Sequence, residues 1–274
     1  MLKGIDVSEH NGKINFAKVK QDGINFVIIR IGWIGNKENH TIDTYFEENY
    51  KNAKANGLKV GFYVYSYVEN ETAMLSAINW IKKQISGKSY EYPIFLDVED
   101  KQISNLSKEV QTKLCKHFCD NFSNSGVYAN LEWFNNKLNV NELLNYKIWL
   151  AQWTNANTHS AKFKVDLWQY ADNGNVNGIN GRVDMNYCLN CNNSNSEEIT
   201  GENGSDEEVR VYQNGSTVEN VYSDTNLTNK IGSLNKYETC DCFGIFNNRA
   251  MVRYKVNGSD NYKIGFCKWL GGVK

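Results

Sequence analysis

Pro93-Ile94-Phe95-Leu96-Asp97-Val98-Glu99-Asp100 is the stretch on which the reading of this chain turns. It opens with the only proline of the sequence, runs apolar for three residues and then presents two acids two positions apart. In an extended strand, residues i and i+2 point to one face, about 6.6–7 Å apart along the backbone. Asp97 and Glu99 therefore project together from the end of a buried strand, with Val98 turned the other way. Two carboxyl groups so placed suit acid/base or nucleophilic work on a glycosidic bond. An Asp-x-Glu by itself also describes a strand end entering a turn, so other parts of the chain must point to the same place.

Working outward, strand-like and helix-like runs alternate. Lys3–Val7 reads as a short strand carrying Asp6, and Asn15 as the cap of a helix through Lys20. Asn25–Ile31 is apolar throughout, as a strand buried on both faces is. Helical spacing covers residues 42–56, closed by Gly57, and residues 71–85, closed by Gly87. A further helix spans 107–121. Strands are expected at 58–67, 126–129, 147–153, 165–170 and 182–184. Strands alternating with helices predict a mostly parallel sheet with crossover connections. About eight strands within the first 190 residues predict a closed β/α barrel. No glycine-rich phosphate loop follows the first strand, which argues against a nucleotide fold. Catalytic groups of such barrels gather at the C-terminal strand ends. Asp6, Asp97, Glu99 and Asp184 are all expected there, and closure of the ring places Asp6 beside Asp184.

Composition narrows the function. The net charge is −1, so no basic field suggests nucleic acid. The chain holds 16 Tyr and 7 Trp, amphipathic rings of the kind that line carbohydrate clefts. No run is apolar for long enough to span a membrane, and Met1-Leu2-Lys3-Gly4 lacks the apolar core of a secretory signal, so the expectation is a protein made and kept in the cytoplasm until something else releases it. Among the seven cysteines, Cys115 and Cys119 sit one helical turn apart, which core packing explains. Cys188-x-x-Cys191 and Cys240-x-Cys242 lack a matching second half with histidine, so no metal is expected and the cysteines read as free thiols.

Five motifs carry a resemblance. Gly4-Ile5-Asp6-Val7-Ser8, Phe95-Leu96-Asp97-Val98-Glu99, Trp149-Leu150-Ala151-Gln152-Trp153, Trp168-Gln169-Tyr170 and Val183-Asp184-Met185-Asn186 resemble, in order and spacing, glycoside hydrolase family 25. These are muramidases (lysozymes) that cut the β-1,4 bond between N-acetylmuramic acid and N-acetylglucosamine in peptidoglycan. The resemblance covers roughly residues 2–190 and implies a flattened eight-stranded β/α barrel. It implies Glu99 as general acid, Asp97, Asp6 and Asp184 as supporting acids, and no cofactor. One departure stands out. Where many members carry Lys-x-Ser/Thr-Glu-Gly after the second strand, this chain has Arg30-Ile31-Gly32-Trp33-Ile34, without the glutamate. The i, i+2 placement of Asp97 and Glu99 favours retention of configuration. Tyr63, Tyr65, Tyr128, Trp153 and Trp168 are the candidate sugar platforms.

Residues 191–208 form an acidic polar linker; the run from Asn190 to Glu208 holds six acids and no Lys or Arg. Residues 209–274 change to short alternating runs, with turn signals at Asn214-Gly215 and Asn257-Gly258, and predict a small all-β module. It carries nine Lys and Arg against five Asp and Glu, which suits an anionic wall polymer. Lys263–Gly272 resembles the wall-binding modules of clostridial phage endolysins, with a Src-homology-3-like character. Arg249, Arg253, Tyr254, Lys268 and Trp269 are the candidates for wall contact. A module of this size with exposed strand edges is also a candidate for homo-oligomer formation. The leading expectation is an endolysin acting on peptidoglycan; the alternative is a non-catalytic peptidoglycan-binding protein on the same fold.

Overall fold

Period-two alternation along the strands explains the architecture better than apolar content alone. The computed structural model of the chain describes residues 1–190, 199–200, 210–223, 226–246, 249–256, 262–268 and 272–273. It divides into two compact units, Met1–Asn203 and Gly204–Lys274. The first unit contains strands β1 (Leu2–Val7), β2 (Phe26–Ile34), β3 (His40–Ile42), β4 (Lys59–Ser66), β5 (Ser89–Tyr90), β6 (Ile94–Asp97), β7 (Ser125–Asn130), β8 (Lys147–Ala151), β9 (Leu167–Gly174), β10 (Val183–Cys188) and β11 (Ile199–Thr200). Its helices are α1 (Phe16–Gln21), α2 (Phe46–Ala55), α3 (Glu71–Ile85), α4 (Lys108–Cys119), α5 (Leu131–Asn136) and α6 (Val140–Leu143).

Parallel ladders run β1–β2–β4–β6–β7–β8–β9. β10 then pairs antiparallel with both β9 and β1, which closes eight strands into a barrel. The reversal has a simple cause. Only residues 175–182 join β9 to β10, and a parallel crossover needs a dozen residues or more. Asp184 therefore lies near the start of its strand, a correction to the expectation that all four acids sit at C-terminal strand ends. Because the strand is reversed, that start lies on the same rim as the C-terminal ends of its neighbours.

One phase of each strand fills the barrel. Phe26, Ile28, Phe95, Tyr128, Trp149 and Leu167 belong to an interior cluster. The opposite phase, including Val27, Ile29, Ile31, Leu96 and Val127, packs in a second cluster with helix residues such as Ile78, Ile81, Leu114 and Phe118. Burying each such side chain contributes roughly 1.5–3 kcal/mol. The interior is narrow: a Cβ on Gly4 would lie 2.3 Å from the Phe26 ring. The beginnings of the helices follow from side-chain caps. Asn15, Asn70, Ser107 and Asn130 each accept a backbone N–H of the first turn.

Two local expectations change. The helix expected over 42–56 starts at Phe46, because His40–Ile42 pairs with Gly32–Ile34 as a hairpin. A side chain at position 32 would meet the Thr41 carbonyl oxygen at 1.9 Å, which is why glycine stands there. The short helices α5 and α6 are additions, each too brief to show a periodic pattern. Cys115 and Cys119 are buried in the helix-facing core. Cys188, read as a free thiol, is disulfide-bonded, and its partner lies outside the described residues. Ile199 and Thr200, within the expected linker, pair with Tyr90 and Ser89.

The second unit is all β among its described residues. Its strands are β12 (Arg210–Gln213), β13 (Glu219–Tyr222), β14 (Lys230–Leu234), β15 (Thr239–Phe246), β16 (Arg249–Lys255), β17 (Tyr262–Cys267) and β18 (Gly272–Val273). They form one antiparallel sheet in the order β14-β13-β17-β16-β15-β12-β18. Asn214 supports the expected turn by donating its amide to the carbonyls of Thr217 and Asn235 at 2.8 and 2.7 Å. The turn expected at Asn257-Gly258 lies outside the described residues. Among all described residues, no helix is long and apolar enough to cross a membrane.

Candidate active site

The inward phase of the barrel turns polar at one rim. On β2 it runs Phe26, Ile28, Arg30; on β6, Phe95, Asp97. The strand assignment of β6 stops at Asp97, but the ladder continues one step, since Val98 N–H donates to the Tyr128 carbonyl at 3.0 Å. Val98 is buried away from the site, so alternation carries Glu99 to the barrel mouth beside Asp97. Asp100 ends the run by accepting the Gln102 N–H at 2.7 Å and the Tyr65 hydroxyl at 3.0 Å.

The result is a cleft of about 410 Å³ whose lining includes Asp6, Asp97, Glu99 and Asp184. Tyr63, Tyr65, Tyr128 and Trp149 supply aromatic wall, and Arg30, Arg182 and His10 supply basic groups. Asp6 and Asp184 are direct partners in the β1–β10 register. A hydrogen bond links their carboxyl groups. Asp6 is almost fully buried, and its Oδ2 accepts Asn186 Nδ2 at 2.7 Å and Gln169 Nε2 at 3.0 Å.

Burial sets the charge states. It pushes the Asp6 carboxyl well above the usual range, and the charge of Asp184 adds to this. Asp184, less buried, is raised to about 6; the hydrogen bond from Asp6 opposes its rise. Burial also raises Asp97, with Glu99 and Asp6 adding and Arg30 opposing. Glu99 is raised by burial first, then by the charges of Asp184 and Asp100. Acids gathered and partly buried in one cleft thus favour the protonated form of Glu99 more than water does, as a general acid requires.

Arg30 compensates on the other side. It is buried, its Nε donates to Asp43 Oδ2 at 2.7 Å, and its Nη2 donates to Glu9 Oε1 at 3.1 Å. Asp43 Oδ2 also accepts the Glu9 N–H at 2.9 Å. The segment that departs from the common motif thus inserts a doubly paired guanidinium into the cleft wall.

Comparison with known proteins bears on this geometry. The sequence model described as glycosyl hydrolases family 25 matches residues 5–179, most of the barrel. The chain belongs to this family. An autolytic lysozyme of Clostridium acetobutylicum is 30% identical over 192 residues, covering 67% of this chain and 55% of that protein. The chain thus spans about half the length of that curated relative. The modular autolysin LytC of Streptococcus pneumoniae, solved with a synthetic peptidoglycan ligand, superposes with a TM-score of 0.59 at 28% identity, over 68% of this chain and 46% of that one. The spore cortex lytic enzyme SleM of Clostridium perfringens shares the fold, with a TM-score of 0.63 at 16% identity over 97% of both chains.

Within this family-25 barrel the sequence-derived residues separate into groups. The four acids share one cleft. Tyr63, Tyr65 and Tyr128 line it, although the Tyr128 hydroxyl is occupied by Gln169 Oε1 at 3.0 Å. Trp153 is 57% exposed, with its indole N–H held by the same Gln169 oxygen at 3.0 Å. Trp168 does not fit a sugar platform: it is 2% exposed, its Nε1 donates to the Gln152 carbonyl, and it packs with Tyr170 and Tyr187. In the second unit Tyr254 is also buried, its hydroxyl donating to the Ile231 carbonyl, so it presents no surface for wall contact. Arg253 is paired with Asp241 at 2.6 Å, Arg249 is partly buried, Lys268 is exposed, and Trp269 lies outside the described residues. The sequence reading missed Arg30, Trp149, Gln169 and Asn186 as site residues. The last three stood inside motifs already singled out, and all four share the inward phase of their strands.

Proposed function

We propose that this chain is a muramidase of endolysin type, hydrolysing the β-1,4 bond between N-acetylmuramic acid and N-acetylglucosamine in bacterial peptidoglycan. The observation that carries the reading is the convergence of Asp6, Asp97, Glu99 and Asp184 on one cleft of a family-25 barrel. Gathering four carboxyl groups in one aromatic-walled cleft costs stability, a cost that acid/base chemistry accounts for and glycan binding alone does not.

In this reading Glu99 protonates the leaving glycosidic oxygen. Asp97 faces the developing oxocarbenium ion, either as nucleophile or by holding the substrate's own acetamido group for attack. Its Oδ1 is buried and has no hydrogen-bond partner among the described residues, leaving an acceptor for a substrate N–H. The same-face placement of Asp97 and Glu99 supports retention. Asp184 keeps the Glu99 proton in place by its charge, and Arg30 moderates Asp97. Residues 209–274 serve as the wall-binding module, with the exposed Lys268 as a contact to an anionic polymer. The outer strands β14 and β18 offer edges through which two copies could pair.

The test is digestion of purified peptidoglycan by the wild type and Glu99→Gln, with reducing-end analysis and mass spectrometry. Reducing N-acetylmuramic acid ends from the wild type alone support the reading, and the anomer first formed, read by NMR, decides retention. Free peptide stems or new amino termini move the assignment to an amidase or peptidase; binding without products moves it to the non-catalytic alternative.

A further inference from the structure

Two amides beneath the acids have no role in the bond-breaking step just described, and their orientation is determined. Asn186 is fully buried and Gln169 is 3% exposed; they face each other in the β9–β10 register. Trp149 Nε1 donates to Asn186 Oδ1 at 2.8 Å. Trp153 Nε1 donates to Gln169 Oε1 at 3.0 Å, and so does the Tyr128 hydroxyl. An indole N–H can only donate, so it fixes which end of each amide is oxygen. Flipping either amide would set two donors against each other in a buried site. Both amide NH2 groups must therefore point the other way, and both meet the same atom, Asp6 Oδ2.

With two N–H donors already on it, Oδ2 has no room for a proton. A proton on Asp6 must reside on Oδ1, where it can be given to Asp184. We propose that Gln169 and Asn186 are positioning residues that fix the shared proton of the Asp6–Asp184 pair on Asp6 Oδ1, keeping Asp184 an anion that faces Glu99. The chain of control runs from donor-only indoles to amides, from amides to Asp6, from Asp6 to Asp184, and from Asp184 to the general acid. This deepens the muramidase reading and rests on it for the role of Glu99.

Every charged group around the pair enters the balance. Asp97 and Glu99 face it from β6 and the turn after it, Tyr63 from β4, Arg30 from β2 and Tyr128 from β7. Asp172 on β9, Arg182 ahead of β10 and His10 beyond β1 line the same cleft. Asp172 works against ionisation of Asp184, so the proton donated by Asp6 is what keeps Asp184 charged against its neighbours.

Gln169→Glu tests the device while keeping the shape. A carboxyl at this position still accepts from Trp153 and Tyr128 but offers Asp6 Oδ2 an oxygen in place of an N–H. The Asp6 proton is then drawn to Oδ2 and withdrawn from Asp184. Asp184 becomes easier to protonate, and Glu99 loses the charge that holds its proton. The expected result is a fall in kcat of about ten- to hundredfold with little change in KM, and a base limb of the pH–rate profile about one unit lower. A variant with the wild-type pH profile and only reduced thermal stability would show the amide to be structural and overturn the proposal.

Carbon-13 NMR titration of the wild-type side-chain carboxyls, assigned through bonds from each residue's own backbone resonances, gives a readout that requires neither a folded variant nor activity. Asp184 ionising near pH 6 while Asp6 stays protonated supports the proposal; Asp6 ionising first overturns it. If the wild type fails to cut peptidoglycan, the muramidase reading falls while this titration still decides where the proton sits.

Discussion

Asp6 and Asp184 sit opposite each other across the antiparallel β1–β10 ladder, joined carboxyl to carboxyl by a hydrogen bond. They come from the first and last strands of the ring, so the seam that closes the barrel is also the floor of the cleft. Burial raises both carboxyls, and the charge of Asp184 raises the more deeply buried Asp6 further, so the pair favours holding a proton.

Loss of the acid should separate activity from folding. Glu99→Gln is expected to lower kcat on peptidoglycan by about 10²–10⁴-fold. The melting temperature should stay within a few degrees of wild type, because Glu99 lies after the strand and only partly buried. Turbidity clearing and thermal melts on the same preparation check both halves.

The pH profile carries a second expectation. Glu99 is raised by burial and by the charges of Asp184 and Asp100. The base limb of kcat/KM should therefore lie above the ordinary glutamate range. Removing the first of those charges with Asp184→Asn should move that limb down. A limb that stays in place in the variant would show that Asp184 does not act on the acid.

Stability should respond in the opposite sense. The Asp184 carboxyl is raised in the folded chain to about 6. Its contribution is therefore fully present below the unfolded value, near 4, and is lost as pH rises through about 6. Asp184→Asn should then stabilise the protein by on the order of 1 kcal/mol more at pH 7 than at pH 4. Denaturant midpoints of the two proteins at both pH values measure the difference.

Two tryptophans that look alike in sequence should behave differently. Trp168→Ala removes a buried ring and should cost about 3–5 kcal/mol. Trp153→Ala removes an exposed one and should leave stability nearly unchanged while raising KM for glycan chains. Chemical denaturation paired with steady-state kinetics distinguishes them.

Arg30 offers a further contrast. Arg30→Leu leaves Asp43 buried without its cation, and breaking a buried pair in this way costs about 3–5 kcal/mol. Arg30→Lys keeps the charge but cannot bridge Asp43 and Glu9 with a planar fork, so part of the loss should remain. Urea unfolding of both variants against wild type gives the comparison.

The barrel was legible because its strands are short, apolar and regularly spaced, and because the acids fall at predictable phases. Asp97 and Glu99 needed only the alternation of one strand. Asp6 and Asp184 needed ring closure as well, which the count of strands supplies. The reversed direction of β10 was hidden, since it depends on the length of a connection and on a strand that continues past Asp184 to Cys188. The aromatics were the least legible. Whether Trp153 or Trp168 meets solvent is decided by packing from distant segments such as Tyr187, and the two share similar local surroundings in sequence. The amides at 169 and 186 matter through what holds their far ends, a relation that no local pattern records.

The barrel seam has one more consequence, for the timing of synthesis. Contacts between residues some 180 positions apart form late in folding, because the loop they close is the longest in the unit. A chain still lacking β10 would hold Glu99 and Asp97 without Asp184, and Asp6 without the amide of Asn186. The four acids and their amides therefore stand together only once the last strand docks against the first.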